Sequence, residues 1–120
     1  MPASYDIDKK ERLVTSRLWG PVTEDEVHDH TTRLRNDPAF DPGYRQLVDL
    51  TGITEIRVSS STVNVAAMDQ FFTPGTRRAF LASSDATFGM ARMFALRAEG
   101  SGQTIEVFRD REKAEEWLSR

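Results

Sequence analysis

From Leu13 onward, apolar residues recur first with the period of a strand and then with that of a helix, several times over. That alternation restricts the chain to an α/β architecture with a largely parallel sheet. Before it, Tyr5-Asp6-Ile7 and Leu13-Val14-Thr15-Ser16-Arg17-Leu18-Trp19 read as two strands joined by the charged turn Asp8–Arg12. So short a connection requires an antiparallel pair. Gly20-Pro21 is expected to stop the second strand, and Thr23-Glu24-Asp25-Glu26 to open a helix through a capping box. The acids of that first turn favour the positive end of the helix dipole. Val27, His30, Thr31 and Leu34 then share one face, and Asn36-Asp37-Pro38 ends the helix.

The pattern continues with a buried strand, Tyr44–Leu50, ended by Thr51-Gly52. Ser59, Ser60 or Ser61 is placed to cap a second helix, whose inner face is Val63, Ala66, Ala67 and Phe71 and which Pro74-Gly75 breaks. A strand over Arg78–Ala82 leads to a third helix capped by Ser84 or Asp85, with Met90, Ala91, Phe94, Ala95 and Ala98 at helical spacing. Gly100-Ser101-Gly102 terminates it. The strand Thr104–Phe108 and a closing helix capped by Asp110 complete the series, with Ala114, Trp117 and Leu118 facing inward. The expected fold is a mixed sheet of about five strands: an antiparallel hairpin, then right-handed β-α units, with four helices. With 120 residues and no linker or repeat, residues 1–120 read as one domain.

Several function classes fall away on composition. The chain has no cysteine, which removes disulfides, thiolate metal sites and thiol catalysis. A net charge of −3 speaks against nucleic acid as a partner. No apolar run approaches the ~20 residues that span a bilayer, and the opening residues lack the order of a secretory signal. A cytoplasmic location is expected.

Four phrases carry a family resemblance. They are Gly20 before a capped helix, the strand ending Leu47-Val48-Asp49-Leu50, the run Phe88–Phe94, and Val107-Phe108-Arg109-Asp110 leading into Ala114–Leu118. In this order of elements they resemble the STAS-like superfamily of sulfate transporters and anti-sigma factor antagonists. Within it they are most similar to a bacterial branch of SpoIIAA-like proteins, sometimes grouped with Sec14-type lipid-binding domains. The resemblance spans nearly the whole chain and implies a SpoIIAA-like fold. In the antagonists, a helix opening with Asp-Ser and a nearby Gly carries a serine that a partner kinase phosphorylates. Here the corresponding opening is Val58-Ser59-Ser60-Ser61-Thr62, with Arg57-Val58 in place of the acid and no glycine after the serines. Ser59, Ser60 and Ser61 are thus candidates for a phosphate switch at a helix N-terminus, or plain caps.

No catalytic residue, metal site or cofactor is expected. His28 and His30 are two positions apart and face different sides of their helix, so they cannot chelate one metal together. His30 is expected partly buried and hydrogen-bonded, His28 solvated. Asp49 lies near the carboxyl end of a central strand, where open sheets place ligands. It is expected to bind loop amides or to pair with Arg45 or Arg57, and a Ser60-His30-Asp49 triad stays open. Phe71, Phe72, Met90, Met93 and Phe94 exceed what one inward stripe needs, and mark an apolar interface or pocket unless the sheet absorbs them. Arg77-Arg78 and Arg92 border that region, placed to meet an acidic headgroup or partner. The leading functional expectation is a non-enzymatic STAS-like regulatory or interaction module that binds a protein partner or self-associates. The alternatives are a carrier or sensor of a small apolar ligand or lipid, and a small hydrolase-type enzyme using Asp49 with Ser59–Ser61.

Overall fold

The computed structural model describes residues 3–68 and 71–120. Among them, in chain order, are β1 (Ala3–Asp8), β2 (Leu13–Thr23), α1 (Glu24–Arg35), β3 (Arg45–Arg57), α2 (Ser60–Met68), β4 (Arg77–Leu81), α3 (Asp85–Glu99), β5 (Thr104–Phe108) and α4 (Arg111–Ser119). The strands form one five-stranded sheet in the same order as the chain. β1 is antiparallel to β2, and each later pair is parallel. The expected mixed sheet with an N-terminal hairpin and four helices is therefore the architecture observed.

Strands added in sequence by right-handed crossovers put their connecting helices on one face. α1, α2 and α3 share that face, while α4 packs against β3, β4 and β5 from the other. Strand alternation then sorts the core. Val48, Leu50 and Phe80 meet Ala91 and Phe94 on the three-helix side, whereas Leu47, Ala79 and Leu81 meet Ala114 and Leu118 on the α4 side. Val14, Leu34 and Phe72 form a third cluster under the end of α1. Fully burying a side chain such as Leu34 contributes roughly 1.5–3 kcal/mol.

Two strand boundaries depart from expectation. Gly20-Pro21 does not stop β2, and Thr51-Gly52 does not end β3. Both strands run on, paired as Gly20↔Ile53, Pro21↔Glu55, Val22↔Ile56 and Thr23↔Arg57. Register shifts after Arg17 and after Gly20 absorb the irregular residues, as bulges allow for proline and glycine within strands. Gly20 takes φ +67°, a left-handed conformation that suits glycine. Gly52 answers a close approach instead, since a Cβ there would sit 2.9 Å from Trp19 Cβ.

The helix ends mostly follow the sequence signals. Ser84 Oγ accepts from the Thr87 amide at 3.1 Å, Asp110 from the Glu112 amide at 2.9 Å, and Ser59 from the Thr62 amide at 3.2 Å. Thr23 departs from the capping box: its hydroxyl donates to Glu26 Oε1 at 3.1 Å and caps no amide. Thr23 is also the last residue of β2, paired to Arg57, so its geometry serves the sheet. The second helix is described over Ser60–Met68 and does not reach Phe71, which was expected on its inner face. Asp69 and Gln70, inside the expected helix, and Met1 and Pro2 lie outside the described residues. Phe71 and Phe72 belong to the connection into β4.

Candidate functional site

α2 packs along α3 and stands away from the strands beneath it. The space left is a cavity of about 380 Å³ bounded by α1, α2, α3 and the sheet. That volume falls within the ~300–1,000 Å³ typical of small-molecule sites. Val48, Leu50 and Phe80 make its floor, Leu34 and Phe94 belong to its sides, and Val63 and Ala66 form its roof. Glu24, His28, Ser61 and Val65 also border it and are exposed, which places its mouth between the start of α1 and α2.

The other end of the cavity is polar. Gln46 and Arg78 are register partners at the starts of β3 and β4, and both are buried on the three-helix side. Arg78 Nε donates to Gln46 Oε1 at 2.9 Å, and Arg78 Nη1 to Gln103 Oε1 at 2.6 Å. Gln46 Nε2 donates in turn to Ser16 Oγ at 3.0 Å, and Gln103 Nε2 to the Ala67 carbonyl at 2.7 Å. A continuous chain of hydrogen bonds thus crosses one sheet face from β2 to the last turn of α2. The Arg78 guanidinium also lies over the Phe72 ring, 4.3 Å from its centroid, a favourable cation–π placement.

His30 completes this end. Its ring meets Tyr5 edge-on at 5.8 Å and it is 9% exposed. Contrary to the expected hydrogen-bonded histidine, Nε2 finds no hydrogen-bond partner among the described residues. The helix turns it toward the core, where β1 and the sheet offer its Nε2 no acceptor or donor. Burial, reinforced by the positive charges of Arg33 and Arg78 and opposed by Asp29, holds its pKa down at about 4. At neutral pH it is an uncharged imidazole, with one N–H and one lone pair.

The remaining candidates separate. Asp49 points to the opposite sheet face from Gln46, Val48 and Leu50, so the Ser60-His30-Asp49 triad does not assemble. Its expected arginine partners are also corrected. Oδ2 accepts from Arg111 at 2.7 Å, while Oδ1 accepts from the Thr51 amide at 2.9 Å and the Thr51 hydroxyl at 2.6 Å. Arg45 reaches the carbonyls of Glu11 and Leu118, and Arg57 pairs with Glu55. Burial pushes the Asp49 carboxyl up, but the Thr51 bonds with the charges of Arg111 and Arg17 outweigh it and leave it below the usual range. Asp49 therefore ties β3 to α4.

Ser59 caps α2, and its amide donates to Glu24 Oε1 at 2.9 Å. The Glu24 carboxylate, held acidic mainly by that bond, thus occupies the helix end that a phosphate would seek. Ser60 and Ser61 are exposed beside it. Phe71, Met90 and Phe94 line the cavity, Phe72 is buried beneath Arg78, and Met93 is half-buried outside the lining. Arg77 turns to the α4 face, where it donates to the Trp117 carbonyl at 2.7 Å, and Arg92 is exposed on α3. Only Arg78 of the three borders the cavity. Among the described residues, no cluster of acids and histidines is placed to hold a metal ion, and no helix is long and apolar enough to cross a membrane.

No model of a known protein family matches the sequence, and no curated protein matches it. A solved structure does: an uncharacterised protein of the DUF3478 family with a SpoIIAA-like fold, from Shewanella loihica PV-4. The two superpose with a TM-score of 0.62 over 97% of this chain and 93% of that one, at 15% identity. The fold is SpoIIAA-like. At that identity the likeness speaks for architecture, and the features that distinguish this SpoIIAA-like chain must be read from its own residues. Chief among them are the cavity and its polar end.

Proposed function

We propose that this protein is a non-enzymatic binding module that holds a small apolar molecule beneath α2. The cavity of about 380 Å³ carries the reading. Its walls are aliphatic and aromatic, a few polar groups gather at one end, and exposed residues border the other. A preformed site of this kind binds by excluding water from apolar surface, with the polar groups fixing orientation. The Sec14-type grouping noted from the sequence agrees with it. Asp49 is bound to Thr51 and Arg111 on the α4 side of the sheet, away from the serine run at the start of α2, where Ser59 caps the helix, so the two do not support a hydrolase.

Filling the cavity should abolish binding without unfolding the chain. Wild type is expected to give saturable fluorescence enhancement with the neutral dye Nile red. Ala66→Phe, projecting from the roof, should lose that response while its Tm stays equal or rises, as cavity-filling changes commonly stabilise by about 0.5–2 kcal/mol. A response that survives in Ala66→Phe would place the dye elsewhere and remove the reading.

A second reading, a regulatory or self-associating module, is favoured by two exposed apolar side chains on the same helices: Val65 at 72% and Leu96 at 63%. If copies meet there, light scattering should show a dimer for wild type and a monomer for Leu96→Glu. A wild-type monomer at every concentration would sink self-association and leave the cavity untouched.

A further inference from the structure

We propose that the cavity's ligand is a single-chain apolar carboxylate, its head received at the inner end by Arg78 and His30 and its tail running toward the α1–α2 mouth. This rests on the binding reading above and adds the ligand's chemistry and direction. Three observations converge on it. Arg78 is buried and borders the cavity, and a guanidinium keeps its charge at any working pH and matches a carboxylate in shape. It is held in place on one side by the amide oxygens of Gln46 and Gln103 and on another by the Phe72 ring. An anchored cation spends little further entropy on receiving an anion.

The second observation is His30. It is 9% exposed, borders the same space, and has an Nε2 without a hydrogen-bond partner among the described residues. A buried polar atom left unpaired is unfavourable by about 1–3 kcal/mol, and a ligand oxygen accepting from Nε2–H would relieve it. The third is the distribution of polarity. Gln46 and Arg78 open their strands, whereas Val48, Phe80 and Leu50 follow them toward the mouth. At about 3.3 Å per strand residue, the apolar floor extends away from the charge as a chain would. Glu24 borders the mouth, so a carboxylate placed head-outward would face a like charge.

The test is a matched pair of ten-carbon probes, decanoate and 1-decanol, titrated into the intact protein by calorimetry at pH 7.5. Decanoate is expected to bind about tenfold or more tightly than the alcohol, as one charge-assisted contact provides. Arg78→Met should erase the preference. Because Arg78 also holds Gln46 and Gln103, His30→Phe serves as a second variant, expected to narrow the preference several-fold while 1-decanol affinity stays. By NMR, decanoate should raise the His30 titration midpoint in wild type, a response a merely structural histidine would not give. Equal affinities for acid and alcohol in wild type would overturn the carboxylate head and leave the apolar site standing. A preference that persists in both variants would overturn the assignment to Arg78 and His30. If neither probe nor Nile red binds, the cavity reading falls with it.

Discussion

Phe72→Ala is expected to lower folding stability by about 3–5 kcal/mol in urea denaturation, the range for truncating a buried aromatic. The ring is 3% exposed and belongs to the cluster of Val14 and Leu34. It meets Phe40 edge-on at 5.3 Å and Phe71 at 4.7 Å, and it is the surface on which the Arg78 guanidinium lies. Truncation leaves a void and also removes the support of the polar chain across the sheet. Against a typical total of roughly 5–15 kcal/mol, that loss leaves little. Phe71→Ala should be milder, since Phe71 is half-buried and borders the cavity, and its effect should appear in Nile red affinity. A Phe72→Ala loss below about 1 kcal/mol would mean that the ring supports neither its cluster nor Arg78.

Acid should weaken the fold through His30. Its folded pKa is about 4 against 6.5 for the ordinary group. Between those values the unfolded chain binds a proton that the folded chain refuses, so stability rises with pH across this window. The contribution is complete above about pH 6.5 and lost as pH falls to 4, a swing on the order of 3 kcal/mol. The surroundings explain the sign: Tyr5 packs edge-on, and the charges of Arg33 and Arg78 outweigh Asp29. Urea midpoints from pH 7.5 to 4 should therefore slope for wild type and flatten for His30→Phe. Identical slopes in the two proteins would assign the effect to carboxylates such as Asp37 and Asp49, both held below their usual range.

Much of the architecture was legible because it rests on period and punctuation. Ser84, Asp110 and the Gly100-Ser101-Gly102 stop all act locally, and each works in the fold as its sequence signal implies. The β2 and β3 ends depart from their sequence signals for the opposite reason. Gly20-Pro21 and Thr51-Gly52 look like terminators, but each strand supplies the partner that lets the other continue, and pairing between distant segments outweighs local turn chemistry. The site was harder still. Strand parity alone places Gln46 with Val48 and Leu50, and Arg78 with Phe80, so inward-facing polar residues could have been noticed. Gln103 carries no such signal, since it precedes its strand and its partners, Arg78 and the Ala67 carbonyl, come from other elements. The cavity depends on α2 leaning toward α3, a tertiary choice that no periodicity encodes. Helical spacing puts His30 on the face of Val27 and Leu34, but the missing partner of its Nε2 is a property of what surrounds it.

The sheet's sequential order bears on how the chain matures. Each strand after the hairpin pairs with the one made just before it, so no strand waits for a distant neighbour. A parallel sheet usually folds slowly because its pairings are non-local. Here accretion can proceed from one end as the chain leaves the ribosome, with one new edge presented at a time. α2 and α3 follow β3 and β4, so the roof of the cavity closes only late in that order.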